Sequence, residues 1–196
     1  MAHRIAIIRL VALCILFLIG PDVARADAVG DFLKTGLEQL VDATKRSGSS
    51  SPAALAKIAR PILQRYIDFG ALTRRSFGLA WKDMTANEQK EAEQLFSELV
   101  IRTYASKIKP ERTPEVKFSP AKKLDANRQE VSAIVNNDGT DVQVTYRLES
   151  KGKSWAIYEI LVEGVSLTNS YRSQFDSIRA RSGPKAPLES LRSMLK

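Results

Sequence analysis

The chain has 196 residues, with 30 basic and 22 acidic side chains, and its only histidine and cysteine are His3 and Cys14. Beyond position 26 there is therefore no residue for a Ser-His-Asp or Cys-His nucleophile, a His or Cys zinc site, or a disulfide. These absences exclude most hydrolase and redox mechanisms. We expect no catalytic residues, no metal ligands and no cofactor.

Residues 1–26 are predicted to be a cleaved signal peptide. Two early arginines precede an apolar run at positions 10–19, and Ala24-Arg25-Ala26 has the A-x-A form of a cleavage site. The run is shorter than the about 20 residues that span a bilayer, so a retained anchor is the weaker interpretation. Cleavage after Ala26 would export the protein from the cytoplasm and leave a single domain, residues 27–196.

The predicted mature domain is basic. Removing Arg4, Arg9, Arg25 and Asp22 from the counts leaves 27 basic and 21 acidic residues, a net charge of +6. The sequence has no basic tract typical of nucleic-acid binding. An acidic protein surface or anionic lipid headgroups suit this charge better, although solubility alone accounts for it equally well.

Two helices are predicted before position 68. The first covers Asp31 to Lys45, and a Ser-Gly-Ser-Ser loop follows it. Ser51 and Pro52 then give a helix start, with serine as N-cap and proline at the first helical position. Pro61 removes a backbone hydrogen bond within this second segment, so we expect a kink or two short helices.

The next segments are also helical. Bulky apolar residues between Phe69 and Trp81, interrupted by two glycines, predict a short helix wedged into the interior. The strongest helix begins at the capping box Thr85-Ala-Asn-Glu88 and ends before Pro110. Its apolar stripe consists of Ala92, Leu95, Phe96, Leu99, Val100, Thr103 and Tyr104.

From Glu115 onward the apolar period changes to two, which predicts strands. Residues 115–119 form a weak first strand. Residues 131–135 and 142–148 alternate apolar and polar side chains around a turn at 136–139, which predicts a hairpin with one buried face. Residues 155–162 are apolar on both faces, as expected for a central strand covered on both sides.

Two helices are predicted after Gly164. The first carries Leu167, Tyr171, Phe175 and Ile178 on one face, and a short last helix covers 188–195. Helices, antiparallel strands and helices in this order predict an α+β fold, in which a curved antiparallel sheet of about four strands packs against several helices.

Large apolar residues occur on both the helices and the strands that should face each other. An ordinary closed core is the simpler interpretation. If the two layers close incompletely, they leave an apolar cavity for a ligand instead. Periodicity does not separate the two, because a pocket wall and a core wall have the same pattern.

Three stretches carry a family resemblance. They are Pro61–Phe69 with Phe77–Lys82, then Gln89–Phe96 with Leu99 and Arg102–Ala105, and finally Trp155–Leu167 running into Tyr171–Phe175. In this order they resemble the MlaC family of periplasmic phospholipid-binding proteins, also called the toluene-tolerance auxiliary family. The most specific part is Glu163-Gly-Val-Ser166.

The resemblance implies a non-enzymatic carrier in the periplasm. Such a carrier shuttles phospholipid between an outer-membrane lipoprotein and porin complex and the MCE-domain protein of an inner-membrane ABC transporter, which serves outer-membrane lipid asymmetry. It also implies that residues 27–196 are a lipid-binding domain with an acyl-chain pocket between sheet and helices. A hopanoid or another lipid is an alternative cargo, and we expect a monomer.

Strand register decides which side chains would line that pocket. Two other hypotheses stay open: a small isomerase-like enzyme with Asp68 or Glu159 as base beside a tyrosine, and a structural adaptor without a cavity. The predicted lipid-binding residues are Trp81, Phe96, Tyr104, Val142, Val144, Tyr146, Ile160, Val162 and Val165.

Overall fold

The computed structural model describes residues 21–105, 107–137 and 139–195. Within them the order is helices, strands and helices, which confirms the α+β prediction. Residues 1–20 of the predicted signal peptide lie outside the described part. The helices are α1 (Pro21–Ser47), α2 (Pro52–Tyr66), α3 (Phe69–Phe77), α4 (Leu79–Lys82), α5 (Ala86–Ala105), α6 (Leu167–Ser182) and α7 (Ala186–Met194).

The described strands form one antiparallel sheet in the order β1-β3-β4-β5-β6, with β2 also paired to β3. The four longer strands are those predicted from the sequence, three from the period of two and β5 from a run that is apolar on both faces. β2 and β6 have two residues each, too few for a periodic signal. The strands are β1 (Glu115–Phe118), β2 (Lys122–Lys123), β3 (Arg128–Asn137), β4 (Thr140–Lys151), β5 (Ser154–Val162) and β6 (Val165–Ser166).

Two details of the predicted helices are corrected. Pro61 does not divide its segment, since α2 is continuous from Pro52 to Tyr66. Pro61 and Lys57 are both exposed, so water can hydrate the Lys57 carbonyl that loses its helical donor. The predicted single helix before Trp81 is instead two, because Gly78 adopts a positive φ of 53° between α3 and α4.

The larger part of the core lies among the helices. α2, α3, α5, α6 and α7 contribute to one buried apolar cluster. The rings of Phe77 and Phe175 stack with centroids 4.3 Å apart, and Phe96 meets Phe77 edge-on at 6.5 Å. These contacts account for the helical stripes in the sequence, which pack chiefly on one another.

A second cluster lies between α1 and the sheet. Val29 and Leu33 of α1 are buried against Val131, Leu148, Trp155 and Ile157. Partly buried Ile67 and Ile160 pack against both clusters and so join the helical layer to the sheet.

Residues 155–162 form a strand, as predicted, and β5 lies between β4 and β6 in the sheet, although its pairing on the β6 side is short. Within the described residues, β5 is paired with β4 along one side, and on the other with two-residue β6 and a single bridge from Ile67 to Ile157. It is nevertheless buried on both faces over Ile157 to Glu159. α2, α3 and α6 all contact β5, and this helical cover accounts for the apolar character of the strand.

The capping box at the start of α5 forms as predicted. The Thr85 amide donates to Glu88 Oε2 at 2.7 Å, and the Glu88 amide donates to Thr85 Oγ1 at 3.3 Å. Lys185, at the start of α7, donates to the other carboxylate oxygen of Glu88. The hydrogen bond from Lys185, followed by those from Thr85, lowers the pKa of Glu88 to about 2.

This pKa predicts an acid-dependent contribution to stability. The folded-state pKa of about 2 lies below the ordinary value of 4.5, so ionised Glu88 stabilises the fold above about pH 4.5 and loses this effect as the pH falls toward 2. Glu88→Gln should therefore lower Tm at pH 6, and the difference from the wild type should close between pH 4.5 and 2. Lys185→Gln should show part of the same decrease in Tm at pH 6. A pH-independent gap in thermal melts would contradict this assignment.

A close contact positions α1 on α2. A Cβ added to Gly36 would lie 2.7 Å from the Tyr66 ring, whereas one added to Gly30 of the same helix would meet nothing within 4 Å. Phe32 packs on the same ring with centroids 4.7 Å apart. Gly36 therefore permits the approach of α1 to α2.

The two glycines form a matched pair of test sites. Gly30→Ala should raise the free energy of unfolding by about 0.5–1 kcal/mol, because alanine loses less backbone entropy in a helix. Gly36→Ala should lower it, because overpacking against Tyr66 costs about 1–3 kcal/mol. Urea denaturation measures both. Equal stabilisation by the two substitutions would mean that α1 does not pack against Tyr66 in solution.

Candidate functional site

One face of the sheet is apolar across its width, and we call it the inner face. Pairing places Phe118, Ala133, Val144 and Val162 in one row, since each is the register partner of the next. A second row contains Val131, Tyr146 and Ile160, and a third contains Val116, Val135 and Val142. The apolar residues that alternate along each strand therefore lie side by side on the same face of the sheet.

The helices cover this inner face unevenly. α1 covers the end that contains Val131 and Leu148, and the helical layer meets the sheet along β5. Val142 and Val144 of β4 and Val162 of β5 are only partly buried. An apolar strip of the inner face thus stays accessible beside α1.

A groove of about 320 Å³ lies between α1 and β1. Its apolar lining comes from Leu37 and Val41 of α1, Pro114, and Val116 and Phe118 of β1. The last two belong to the inner-face rows, so the groove continues the apolar strip at its β1 edge. Its rim consists of Lys34, Glu38, Asp42 and Lys45 from α1 and Thr113 from the loop before β1.

The structure brings five of the nine predicted lipid-binding residues together. They are Val142, Val144, Tyr146, Ile160 and Val162, which are neighbours on the inner face. Burial raises the pKa of Tyr146 to about 12, so its hydroxyl is neutral at ordinary pH. These five residues are the members of the predicted set that share one surface.

The other four predicted residues lie elsewhere. Phe96 is fully buried in the helical cluster, and Trp81 packs on that cluster from its edge. Tyr104 and Val165 are 40% and 62% exposed, the first near the end of α5 and the second in β6. Val165 pairs with Val162 and thus borders the inner face. Their part in lipid binding stays a prediction.

Sequence analysis did not include the groove residues in the site. Val116 and Phe118 lie in the weak strand predicted at 115–119, and Leu37 and Val41 lie in the helix predicted from Asp31 to Lys45. Neither pattern could indicate that α1 lies beside β1, because this contact joins elements about 70 positions apart in the chain.

The two carboxylates considered as catalytic bases have structural partners. Asp68 caps α3 by accepting from the Ala71 amide at 2.8 Å, and its other oxygen lies 3.2 Å from Lys151 Nζ. Glu159 is only 1% exposed. It accepts hydrogen bonds from Ser166 Oγ at 2.9 Å, from the Thr168 amide at 3.2 Å, and from Thr168 Oγ1. These contacts join β5 to the start of α6.

A second cavity, of about 360 Å³, has a polar lining. It is bordered by Gln64, Asp68, Glu93, Gln94 and Ser97, with Ile67, Phe69 and Gly70. In the described part of the chain, no group of three or more His, Cys, Asp or Glu side chains is placed to hold a metal ion. This cavity therefore suits neither an acyl chain nor a metal centre.

The most specific sequence motif builds the β5–β6 turn. Glu163 and Gly164 both have positive φ, 50° and 76°, as a two-residue type I′ hairpin turn requires. Glu163 is held there by its amide, which donates to the Gln143 carbonyl at 2.9 Å, and by its carboxylate, which accepts from the Gln143 amide. Ser166 then caps α6 by accepting from the Asn169 amide at 3.0 Å.

Comparison with known proteins agrees with this geometry. The family model described as MlaC protein matches residues 35–193, which is most of the chain. The chain belongs to the MlaC family. A curated relative, the toluene tolerance protein ttg2D of Pseudomonas putida, is 23% identical over 143 residues. These are 72% of this chain and 66% of that protein, so the match spans slightly under two thirds of its length.

A solved structure shares the fold. It is that of the phospholipid-binding protein from Ralstonia solanacearum in complex with a phospholipid, with a TM-score of 0.75 and 25% sequence identity. The match covers 83% of this chain and 94% of the other. In the part of this MlaC-family chain that the structure describes, no helix is both long and apolar enough to cross a bilayer.

The buried position of Glu159 leads to a stability prediction. Glu159→Ala should lower the free energy of unfolding by about 2–4 kcal/mol, because Ser166 and Thr168 lose a charged acceptor in a buried setting. Glu159→Gln should cost less, since it keeps one acceptor oxygen. Glu115→Ala is the control, because its side chain is 68% exposed and its ion pair with Lys117 lies at the surface, and it should cost under about 1 kcal/mol. Equal losses for Glu159→Ala and the control in urea denaturation would contradict this role.

Proposed function

We propose that this protein is a periplasmic phospholipid carrier whose acyl chains lie on the inner face of the sheet. The observation that carries the proposal is the accessible apolar strip through Val142, Val144 and Val162, in a fold shared with a phospholipid complex. We further propose that the carrier exchanges lipid with an outer-membrane complex and with the MCE-domain protein of an inner-membrane ABC transporter.

The energetics of lipid extraction favour such a site. Each buried methylene contributes about 0.8 kcal/mol, so two chains with about 30 methylenes represent about 24 kcal/mol that a carrier must largely match. The α1–β1 groove, at about 320 Å³, lies at the lower end of the roughly 300–1,000 Å³ of small-molecule pockets. The acyl chains would therefore need the inner face as well as the groove.

The roles of the carboxylates favour a carrier over an enzyme. Asp68 is used as a helix cap and ion-pair partner, and Glu159 joins β5 to α6. A catalytic base needs a lone pair directed at a substrate, and the hydrogen bonds of Glu159 are directed into the fold. The apolar strip offers surface for binding without a group for chemistry.

Native mass spectrometry of protein purified from the periplasm without detergent tests the carrier proposal. We expect a phospholipid mass near one per chain, with lipid extraction identifying the cargo. A lipid-free mass that persists after incubation with phospholipid vesicles would overturn the proposal.

A pair of tryptophan substitutions tests the position of the acyl chains. Val144→Trp should fill the inner face and reduce bound lipid severalfold. Gln143→Trp is the matched control, because Gln143 is the exposed neighbour of Val144 on the opposite face of β4, and it should keep the wild-type lipid content. Circular dichroism checks that both variants fold. Full lipid content in folded Val144→Trp would place the chains elsewhere.

A further inference from the structure

The rim of the α1–β1 groove combines both signs of charge above an apolar floor. Lys34, Glu38, Asp42 and Lys45 follow one another at three- or four-residue spacing, so they lie along one face of α1. The rim thus has two cationic and two anionic side chains and no net charge. The predicted mature domain as a whole carries +6, so the rim differs from the average surface.

None of these four charges is neutralised by an ion pair within the described part of the chain. Among the described residues, Lys34, Glu38 and Asp42 form no side-chain ion pair. Lys45 donates to Thr113 Oγ1 and so joins the two walls of the groove. The free rim groups are therefore available to a ligand whose apolar part lies below them.

The groove and the proposed acyl-chain site border the same rows of the inner face. Val116 pairs with Val135, which pairs with Val142, and Phe118 pairs with Ala133, which pairs with Val144. A lipid whose chains lie on the strip at Val142 and Val144 can thus extend along the partly buried row through Val135 to Val116 and emerge beneath the α1 rim. The polar end of that lipid would then face charges of both signs.

We propose that this groove is the headgroup end of the lipid site and that it selects a zwitterionic phospholipid. A phosphodiester anion would be placed near Lys34 and Lys45, and the headgroup ammonium near Glu38 and Asp42. An anionic headgroup without an ammonium group leaves the two carboxylates without a partner and is repelled by them. This inference rests on the proposed carrier function and specifies its ligand.

Competition between two lipids tests the selectivity. The full-length exported protein is incubated with vesicles containing equal amounts of phosphatidylethanolamine and phosphatidylglycerol, and native mass spectrometry gives the ratio of the two bound lipids. We expect the zwitterionic lipid to be enriched about three- to tenfold, because one or two exposed ion pairs contribute a difference of that size. Glu38→Lys and Asp42→Lys should each shift the ratio toward phosphatidylglycerol.

The control is Asp31→Lys, which makes the same charge change on an exposed residue of α1 that does not line the groove. It should leave the ratio unchanged. Equal binding of both lipids by the wild type, or the same shift in all three variants, would overturn the headgroup assignment while the carrier function stands. Failure of the wild type to take up either lipid would overturn the carrier function itself.

Discussion

The inner face of the sheet sets the main constraint on this molecule, because the helices cover only part of it. Apolar side chains of β1, β3, β4 and β5 line up in rows across the strands. Removing apolar surface from water contributes about 25 cal/mol per Å² of favourable free energy. Covering these rows, by protein or by ligand, therefore stabilises the molecule. α1 covers one end through Val29 and Leu33, and the remaining strip is the part that a ligand can cover.

The connections between the layers are concentrated at β5. The Ile67 bridge, β6 and the hydrogen bonds of Glu159 all attach helical elements to this strand. At the opposite edge, α1 and β1 are separated by the groove. The helical layer is thus attached most closely along β5, whereas α1 and β1 leave a groove between them. A buried carboxylate at β5 is better understood as a structural anchor than as a catalytic base.

Local patterns predicted most of the elements but not how they meet. The Thr85–Glu88 capping box and the alternation in β3 and β4 depend on neighbouring residues, and both were predicted correctly. The helical stripe that contains Phe96 was also read correctly, yet its burial among Phe77 and Phe175 rather than against the sheet depends on how the helices pack. The same holds for the groove, since no periodicity indicates that α1 lies beside β1.

Charge acts at two ranges in this protein. The predicted surplus of +6 creates a general attraction to anionic surfaces, which is screened beyond about 8 Å at physiological ionic strength. The mixed rim of the groove has no net charge and acts only on a group in contact with it. A carrier with this arrangement can be drawn to anionic membranes or acidic partners without preferring anionic lipids as cargo, because the residues that would steer the protein are distinct from those that would contact the headgroup.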